Sequence, residues 1–255
     1  MRKITFLIGS CGLIAWAALV LPAGAGDVTN LEPGLPVTVE DAYPIGYLGR
    51  EVTVFQQFQR TDDKRDIKRT EGRVAFGFPR NGEIRIAAPY LWGRNEENGF
   101  AYVSGEFMYN FNQETLWLPA CSLDVGAWLP VGSQTRGYDP MIKALFTKTV
   151  GYHATAFQQV HANFMYRYND RSTDEEEGQE VQIAVGFSRL LAPSLLIVTD
   201  LVEQWGPRTN YQSHQVELGL RYQLTPLATV SGGTAYGMGN DSPHWTWRLG
   251  FQFTF

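Results

Sequence analysis

The sequence predicts an all-β protein, an up-and-down antiparallel transmembrane β-barrel of about twelve strands. Three observations favour this fold. Apolar and polar residues alternate with a period of two along most of the chain, longer polar connectors alternate with shorter turns, and no apolar run after residue 25 approaches the ~20 residues that a membrane helix needs. The alternation is clearest in residues 245–255, where Trp, Leu and Phe occupy the odd positions and Thr, Arg, Gly and Gln the even ones.

The first 25 residues predict a secretory signal peptide. Arg2 and Lys3 precede an apolar stretch that runs to Leu21, and a cleavage site of small residues ends at Ala25. A membrane-anchor helix is the alternative. Without the 2 basic residues of the signal, the 21 Lys and Arg of the chain become 19 against 26 Asp and Glu, a net charge of −7. No nucleic-acid partner is predicted, because phosphate binding requires a basic surface.

The rest of the chain suits one barrel domain with a lead segment. The mature part has a single cysteine, Cys121, so no internal disulfide can form. The domain is predicted over 50–255, preceded by 26–49, a segment in which prolines cluster and the alternation is missing. Residues 26–49 are predicted either as a flexible periplasmic lead or as a segment tucked into the lumen, where it would act as a plug.

Each strand is predicted from its alternation or from its β-forming residues. The alternating stretches, in chain order, are 69–78, 83–92, 100–111, 159–168, 180–188, 215–224 and 245–255. The stretches 51–60, 116–129, 141–150, 195–204 and 227–237 alternate less regularly, but their Val, Thr, Leu and Phe content still favours strands.

The connectors indicate how the strands follow one another. Polar loops such as 93–99 and 169–178 alternate with turns such as 79–82 and 225–226. This pattern is typical of hairpins that point alternately to opposite ends of an up-and-down barrel. We expect the longer loops to face outward from the cell and the shorter turns to face the periplasm.

Three features favour a membrane barrel over a soluble barrel with an apolar interior, which is the alternative. Aromatic residues gather at strand ends on the apolar face, the polar face mixes charged with small residues, and an exported chain without a disulfide suits a closed barrel. Outer-membrane lipid is therefore a predicted partner. The predicted membrane-interface aromatics are Tyr90, Trp92, Tyr109, Tyr166, Tyr168, Tyr222, Trp245 and Trp247.

The signal peptide, the alternating strands, the unequal hairpins and the final GFQFTF (250–255) together resemble Gram-negative outer-membrane β-barrel proteins. In that class the barrel-assembly machinery reads the last strand and its terminal Phe. The resemblance therefore implies this machinery as a partner, the cell outer membrane as the location, and Phe251, Phe253 and Phe255 as the assembly signal.

A narrower resemblance rests on three short stretches. EDAYPIGYLGREVTVFQQF (40–58), SLDVGAWLPVG (122–132) and LFTKTVG (145–151) are similar to the outer-membrane transporter family labelled meta-pathway of phenol degradation. That label implies transport of small molecules, aromatic ones included, although no residue of this sequence marks a phenol site.

The parity of the strands assigns a set of ionisable residues to the barrel interior. Their charges are nearly balanced, so we expect weak ion selectivity. The alternative is that they pair in salt-bridged rungs that fill the lumen. The predicted pore-lining residues are Glu51, Arg69, Glu71, Arg73, Arg85, Glu106, His161, Arg167, Glu217, Arg221 and Arg248, with Glu83 and Glu180 on the same face.

The hypothesis for function is a channel that passes small polar or amphiphilic solutes by passive diffusion, with no catalysis and no cofactor. A lipid-acting barrel enzyme is one alternative, but it needs a nucleophile and a base within reach. None of the four histidines has a serine two positions away on a strand face, since Ser242 and His244 lie in a predicted loop.

A structural or adhesive barrel is the other alternative. Its acidic loop 170–178 could bind divalent cations, although such a charge run is usually only solvated. No CxxC, HExxH or closely spaced His pair predicts a metal site.

Overall fold

The computed structural model of the protein describes residues 26–61, 66–93, 98–131, 137–151, 157–169, 178–206, 211–239 and 241–255. The predicted signal peptide, 1–25, and nearly all of the acidic loop 170–178 lie outside these ranges. Within them the strands are β1 (Arg50–Arg60), β2 (Asp66–Phe76), β3 (Gly82–Gly93), β4 (Gly99–Phe100), β5 (Val103–Asn112), β6 (Ala120–Leu129), β7 (Asp139–Gly151), β8 (Gln158–Tyr168), β9 (Gln179–Ala192), β10 (Leu195–Gly206), β11 (Tyr211–Thr225), β12 (Ala228–Met238) and β13 (Trp245–Thr254).

Strand pairing closes the sheet into a barrel. Strands β4 and β5 pair with β3 one after the other, so together they occupy one position in the wall and the barrel has twelve. Neighbouring strands are antiparallel, and β1 pairs with β13 from Glu51 opposite Thr254 to Arg60 opposite Trp245. A closed sheet has no unpaired edge, which is the requirement for β-structure in hydrocarbon. The predicted up-and-down barrel of about twelve strands is confirmed.

The apolar face of the sheet points outward. On β13, Leu249 is 67% exposed, whereas Gln252 on the inner face is 2% exposed. On β11, Leu218 is 49% exposed and the neighbouring Glu217 is 1% exposed. A soluble barrel buries its apolar face, so this arrangement requires lipid around the outer wall. In the described part of the chain, no helix has the length and apolar character to cross a membrane.

Strand β10 carries apolar residues on both faces. Leu201 points outward, whereas Leu196, Val198 and Val202 point into the barrel and are almost completely buried. The alternation over 195–204 is weak for this reason. The inner apolar residues need an apolar partner inside the barrel, and residues 26–49 provide it.

The strand predicted over 116–129 begins only at Ala120, so the prediction was wrong for its first residues. Residues 113–119 form a turn in which the Thr115 N–H donates to the Leu118 carbonyl at 2.9 Å. The Asn112 side chain donates to the Pro119 carbonyl at 2.8 Å. Apolar composition favoured a strand, but these local hydrogen bonds define a turn that leaves Trp117 86% exposed.

The strands alternate in direction, so their ends lie at two ends of the barrel. One end, which we call the loop end, includes Leu129 at the end of β6 and Tyr168 at the end of β8. The other, the turn end, includes the two-residue connectors 193–194 and 226–227. Phe255 lies at the turn end, where its N–H donates to the Arg50 carbonyl at 2.8 Å and its carbonyl accepts from the Arg50 N–H at 3.0 Å.

The outward face of β11 gives a test of the membrane assignment. Leu218→Lys places a charge near the middle of a strand in hydrocarbon, so we expect a loss of about 2–4 kcal/mol in the free energy of unfolding. Denaturant titration of the refolded barrel in lipid vesicles measures it. Gln215→Lys on the inward face of the same strand is the matched control and should change stability far less; equal losses would argue against a lipid-facing outer wall.

Candidate functional site in the barrel lumen

Residues 26–49, the N-terminal segment, run inside the barrel. The segment starts at the turn end, where the Gly26 N–H donates to the Pro226 carbonyl at 2.7 Å. It returns to the same end, where the Leu48 N–H donates to the Gly77 carbonyl at 2.7 Å. Between these points Val37 and Val39 are completely buried. The segment is therefore an excursion into the lumen that enters and leaves on one side.

The wall holds this segment through its backbone N–H groups. A buried N–H without an acceptor is costly, and the segment has no neighbouring strand to supply carbonyls. Side chains from five different strands take that role instead. Thr38 N–H donates to Glu217, Val39 N–H to Asp200 at 2.7 Å, Glu40 N–H to Asn163 at 2.8 Å, Ala42 N–H to Thr147 at 2.9 Å and Ile45 N–H to Glu83 at 2.8 Å.

Glycines on the inner face of the wall leave room for the segment. A β carbon at Gly219 would lie 2.6 Å from the Pro36 side chain, and one at Gly186 would lie 2.6 Å from Val39. In the same way, Pro36 occupies the space in front of Gly233, and Leu35 occupies the space in front of Gly250. The wall is therefore shaped to the path of the segment.

An apolar cluster inside the lumen adds to this fit. Val28, Leu31, Val37 and Val39 of the segment pack against Ala184, Leu196, Val198 and Val202 of the wall. Burial of such side chains contributes roughly 1.5–3 kcal/mol each. The cluster thus gives the segment an apolar anchor in an interior that is otherwise polar.

Glu40 joins the segment to the charges of the wall. Its carboxylate accepts from Arg85 and Lys143 at 2.8 Å each. Burial alone would raise the pKa of the Glu40 carboxyl, but the two cations outweigh burial and leave that pKa below its ordinary value. Glu106 and Asp124 complete the group, with Lys143 Nζ 3.2 Å and 2.9 Å from their carboxylates.

Asp41 fixes the fold of the segment itself. Its carboxylate accepts the N–H groups of Leu31 and Tyr43 at 2.9 Å each. Burial raises the pKa of the Asp41 carboxyl well above its ordinary value, although the two N–H donors lower it in part. The Asp41 carboxylate thus joins the first part of the N-terminal segment, at Leu31, to its later part, at Tyr43.

The predicted pore-lining residues face the lumen, and most of them are paired. Glu71 accepts from Arg69 and from Arg73, at 2.7 Å for the latter. Two further ion pairs lie on the wall, Arg248 with Glu217 at 2.7 Å and Arg167 with Glu180. Arg221 donates to the Gln252 side chain at 2.7 Å, and Gln252 in turn donates to Glu51 at 2.5 Å. Arg85 and Glu106 belong to the Glu40 group. The contacts match the salt-bridged rungs weighed in the sequence as the alternative.

His161 makes a contact that the sequence did not indicate. Its Nε2 lies 2.9 Å from Ser188 Oγ on the neighbouring strand and its Nδ1 lies 3.1 Å from Thr147 Oγ1. A serine beside a histidine is the arrangement of a nucleophile and its base. Ser188 is completely buried, however, and the third group is a hydroxyl rather than a carboxylate. The pair has the contact distance of a catalytic dyad without access for a substrate.

Two cavities lie on opposite sides of the N-terminal segment. The outer cavity, toward the loop end, has about 450 Å³ and is bounded by Thr38 and Glu40 of the segment. The inner cavity, toward the turn end, has about 460 Å³ and is bounded by Asp41 and Ile45. The segment separates two polar vestibules.

The predicted interface aromatics lie on the outward face. Tyr90 packs edge-on against Phe100 with 5.3 Å between ring centroids, and Trp92 donates to Thr70 at 3.1 Å. The others on this face are Tyr109, Tyr166, Tyr168, Tyr222, Trp245 and Trp247. At the end of the chain Phe251 and Phe253 also point outward, and the Phe255 ring lies 5.8 Å from that of Phe253.

Several residues that hold the segment were missed in the sequence. Asp200, Asn163, Thr147 and Lys143 were not singled out, although each contacts the segment or Glu40. The available signal was the apolar inner face of β10, which demands a partner. Across the described ranges, no group of three or more His, Cys, Asp or Glu residues has the arrangement of a metal site.

Comparison with known proteins gives similarity in fold. No family model matches the chain, and no curated protein matches it. An outer membrane channel from Pseudomonas putida F1 is similar with a TM-score of 0.68 and 10% identity, over 88% of this chain and 100% of the channel. The NanC porin is similar with a TM-score of 0.59 and 12% identity, over 79% of this chain and 98% of the porin. The KdgM porin is similar with a TM-score of 0.58 and 9% identity, over 80% of this chain and 99% of the porin. The narrower family resemblance stays a prediction.

The glycine contacts allow a test of how the segment is held. Gly219→Ala pushes Pro36 out of its place, and overpacking of this kind costs about 1–3 kcal/mol. The reporter is the thiol of Val37→Cys in a chain that also carries Cys121→Ser. We expect this thiol to react with a maleimide at least about fivefold faster when Gly219→Ala is added. Gly72→Ala is the control, because a β carbon there meets no atom within 4 Å. Equal rates in the two variants would show that the wall does not hold the segment.

Proposed function

We propose that the protein is an outer-membrane channel for small polar or amphiphilic solutes, which pass by diffusion, and that the N-terminal segment closes it at rest. The observation that carries the proposal is the pair of polar cavities with the segment between them. A lumen of charged and amide groups suits the passage of polar solutes. The aromatic solutes implied by the narrower resemblance are one group within this class.

The segment can leave without opening the wall. The ladder starts at Arg50 and closes through β1 and β13, so no ladder hydrogen bond involves residues 26–49. The contacts of the segment are side-chain contacts, an apolar cluster and links at its two ends. Opening therefore costs those contacts but leaves the barrel intact.

The outer membrane is the location that fits this function. The outward apolar wall needs lipid, and the similar structures are named as an outer membrane channel and as porins. Outer-membrane lipid and the barrel-assembly machinery are the partners that follow, with a cleaved signal peptide for export. An enzymatic role has less support, because Ser188 beside His161 is fully buried.

Conductance in planar lipid bilayers tests the closed channel. We expect rare, brief openings of the full mature chain and stable conductance steps after deletion of 26–45. Asp200→Ala leaves the Val39 N–H unpaired at a cost of about 1–3 kcal/mol, so the open fraction should rise about 5- to 150-fold. The control is Glu203→Ala, an exposed acid on the same strand.

Two outcomes would contradict this proposal in different ways. Silence of both the full chain and the deletion variant would rule out a channel. Equal conductance of the two would leave the channel standing but remove the closing role of the N-terminal segment.

The terminal residue gives a test of the assembly partner. Phe255→Ser keeps the backbone hydrogen bonds to Arg50, so the stability of the refolded barrel should change by no more than about 0.5 kcal/mol. The amount of barrel in the outer membrane of cells should nevertheless fall severalfold. Phe111→Ser, at an exposed aromatic on the same face, is the matched control. Normal levels of the Phe255 variant would refute an assembly signal at this residue.

A further inference from the structure

Carboxamide side chains form part of the lining of the outer cavity. Five glutamines from four strands line it, together with polar groups such as Ser104, Asn163 and Thr246. A carboxamide offers two donors and an acceptor in one plane, which is the set of groups that hydroxyl groups pair with. The five are Gln57, Gln59, Gln182, Gln204 and Gln215.

These amides keep unused hydrogen-bonding capacity. Gln57 donates to Gln59 at 3.1 Å, and Gln215 donates to Ser213 at 3.4 Å. Gln204 donates to Glu180. Each of these contacts uses one N–H of the donor, so by count, among the residues that the structure describes, the second N–H and the carbonyl oxygen are left for a solute. The five side chains are each partly exposed, as a binding group needs to be.

The charges of the same cavity are already compensated. Arg69 and Arg73 contact Glu71, and Arg248 contacts Glu217 behind it at 2.7 Å and 2.9 Å. The fourth cation, Lys143, lies between Glu40 and Glu106. A charged solute would have to compete with these internal pairs, whereas a neutral solute would not.

The large aromatic ring of the cavity is covered. Trp128 stacks on Tyr102 with 4.0 Å between ring centroids and 5° between their planes. The guanidinium of Arg167 lies 3.7 Å from the centre of the same Trp128 ring. Two groups this close to one ring must occupy opposite faces, because they cannot share one. A flat aromatic solute therefore finds no free face of Trp128 to stack on.

We propose that the outer cavity selects neutral polyhydroxylated solutes of about the size of a monosaccharide. The inference rests on the proposed channel function and names its substrate class. Free amides supply the recognition, paired charges give ions no advantage, and Trp128 offers an aromatic solute no free face. The volume of about 450 Å³ lies in the range of small-molecule sites.

Uptake of radiolabelled solutes into proteoliposomes tests this class. The protein is used as the full mature chain and as the variant lacking 26–45, with D-glucose, D-gluconate and 4-hydroxybenzoate as probes. Glucose should enter at least about tenfold faster than either anion, a factor that corresponds to about 1.4 kcal/mol. Gluconate matches glucose in size and hydroxyl groups but adds a charge, and 4-hydroxybenzoate adds an aromatic ring.

Substitution of two of these glutamines, one on β1 and one on β9, gives the matched comparison. Gln57→Leu combined with Gln182→Leu should lower glucose uptake at least about tenfold, because two amide partners of the hydroxyl groups are lost. Gln56→Leu, on the outward face of β1 next to Gln57, should leave uptake unchanged. Unaltered glucose uptake in the double variant would overturn the role of the amides.

The outcomes separate the two proposals. Uptake of all three probes at one rate, or faster uptake of either anion, would refute the selectivity while leaving a channel in place. No uptake of any probe, together with no ion conductance after deletion of 26–45, would refute the channel itself.

Discussion

The need of every buried backbone N–H for an acceptor governs this molecule. In the wall that need is met between strands, and the pairing of β1 with β13 removes the last open edge. In the lumen it is met differently, because residues 38–45 have no adjacent strand. Side chains such as Asp200 and Glu83 act as acceptors instead. The polar inner face is therefore both a lining of the barrel and the frame that holds the N-terminal segment.

The fold could be predicted from the sequence because its signal is local. Alternation over ten residues assigns each side chain to lipid or lumen, and β11 and β13 follow it throughout. The path of residues 26–49 could not be predicted in the same way. Their acceptors come from strands far apart in the chain, so no short stretch records them. Asp200 and Lys143 were not predicted as lumen residues, because they lie on β10 and β7, where apolar and polar residues alternate less regularly.

The charges of the lumen were predicted to balance, and the structure shows how locally they do so. Arg85 and Lys143 face Glu40 of the segment as well as acids of the wall. Glu71 is shared between two arginines of its own strand. Each of these four cations thus has its counter-charge within contact distance, which keeps buried charges tolerable. Arg221 instead contacts the amide of Gln252, which in turn contacts Glu51. The inner cavity differs, since its charged lining residues are acidic.

The close fit of segment and wall ties two distant parts of the chain together in their sequence variation. Gly219 and Gly186 can be nothing larger while Pro36 and Val39 occupy the space in front of them. A relative that carries a bulky residue at either glycine must therefore have a smaller or rerouted segment. Among related sequences, these glycines and residues 35–39 should change as a unit, so their covariation would show which barrels have kept an occupied lumen.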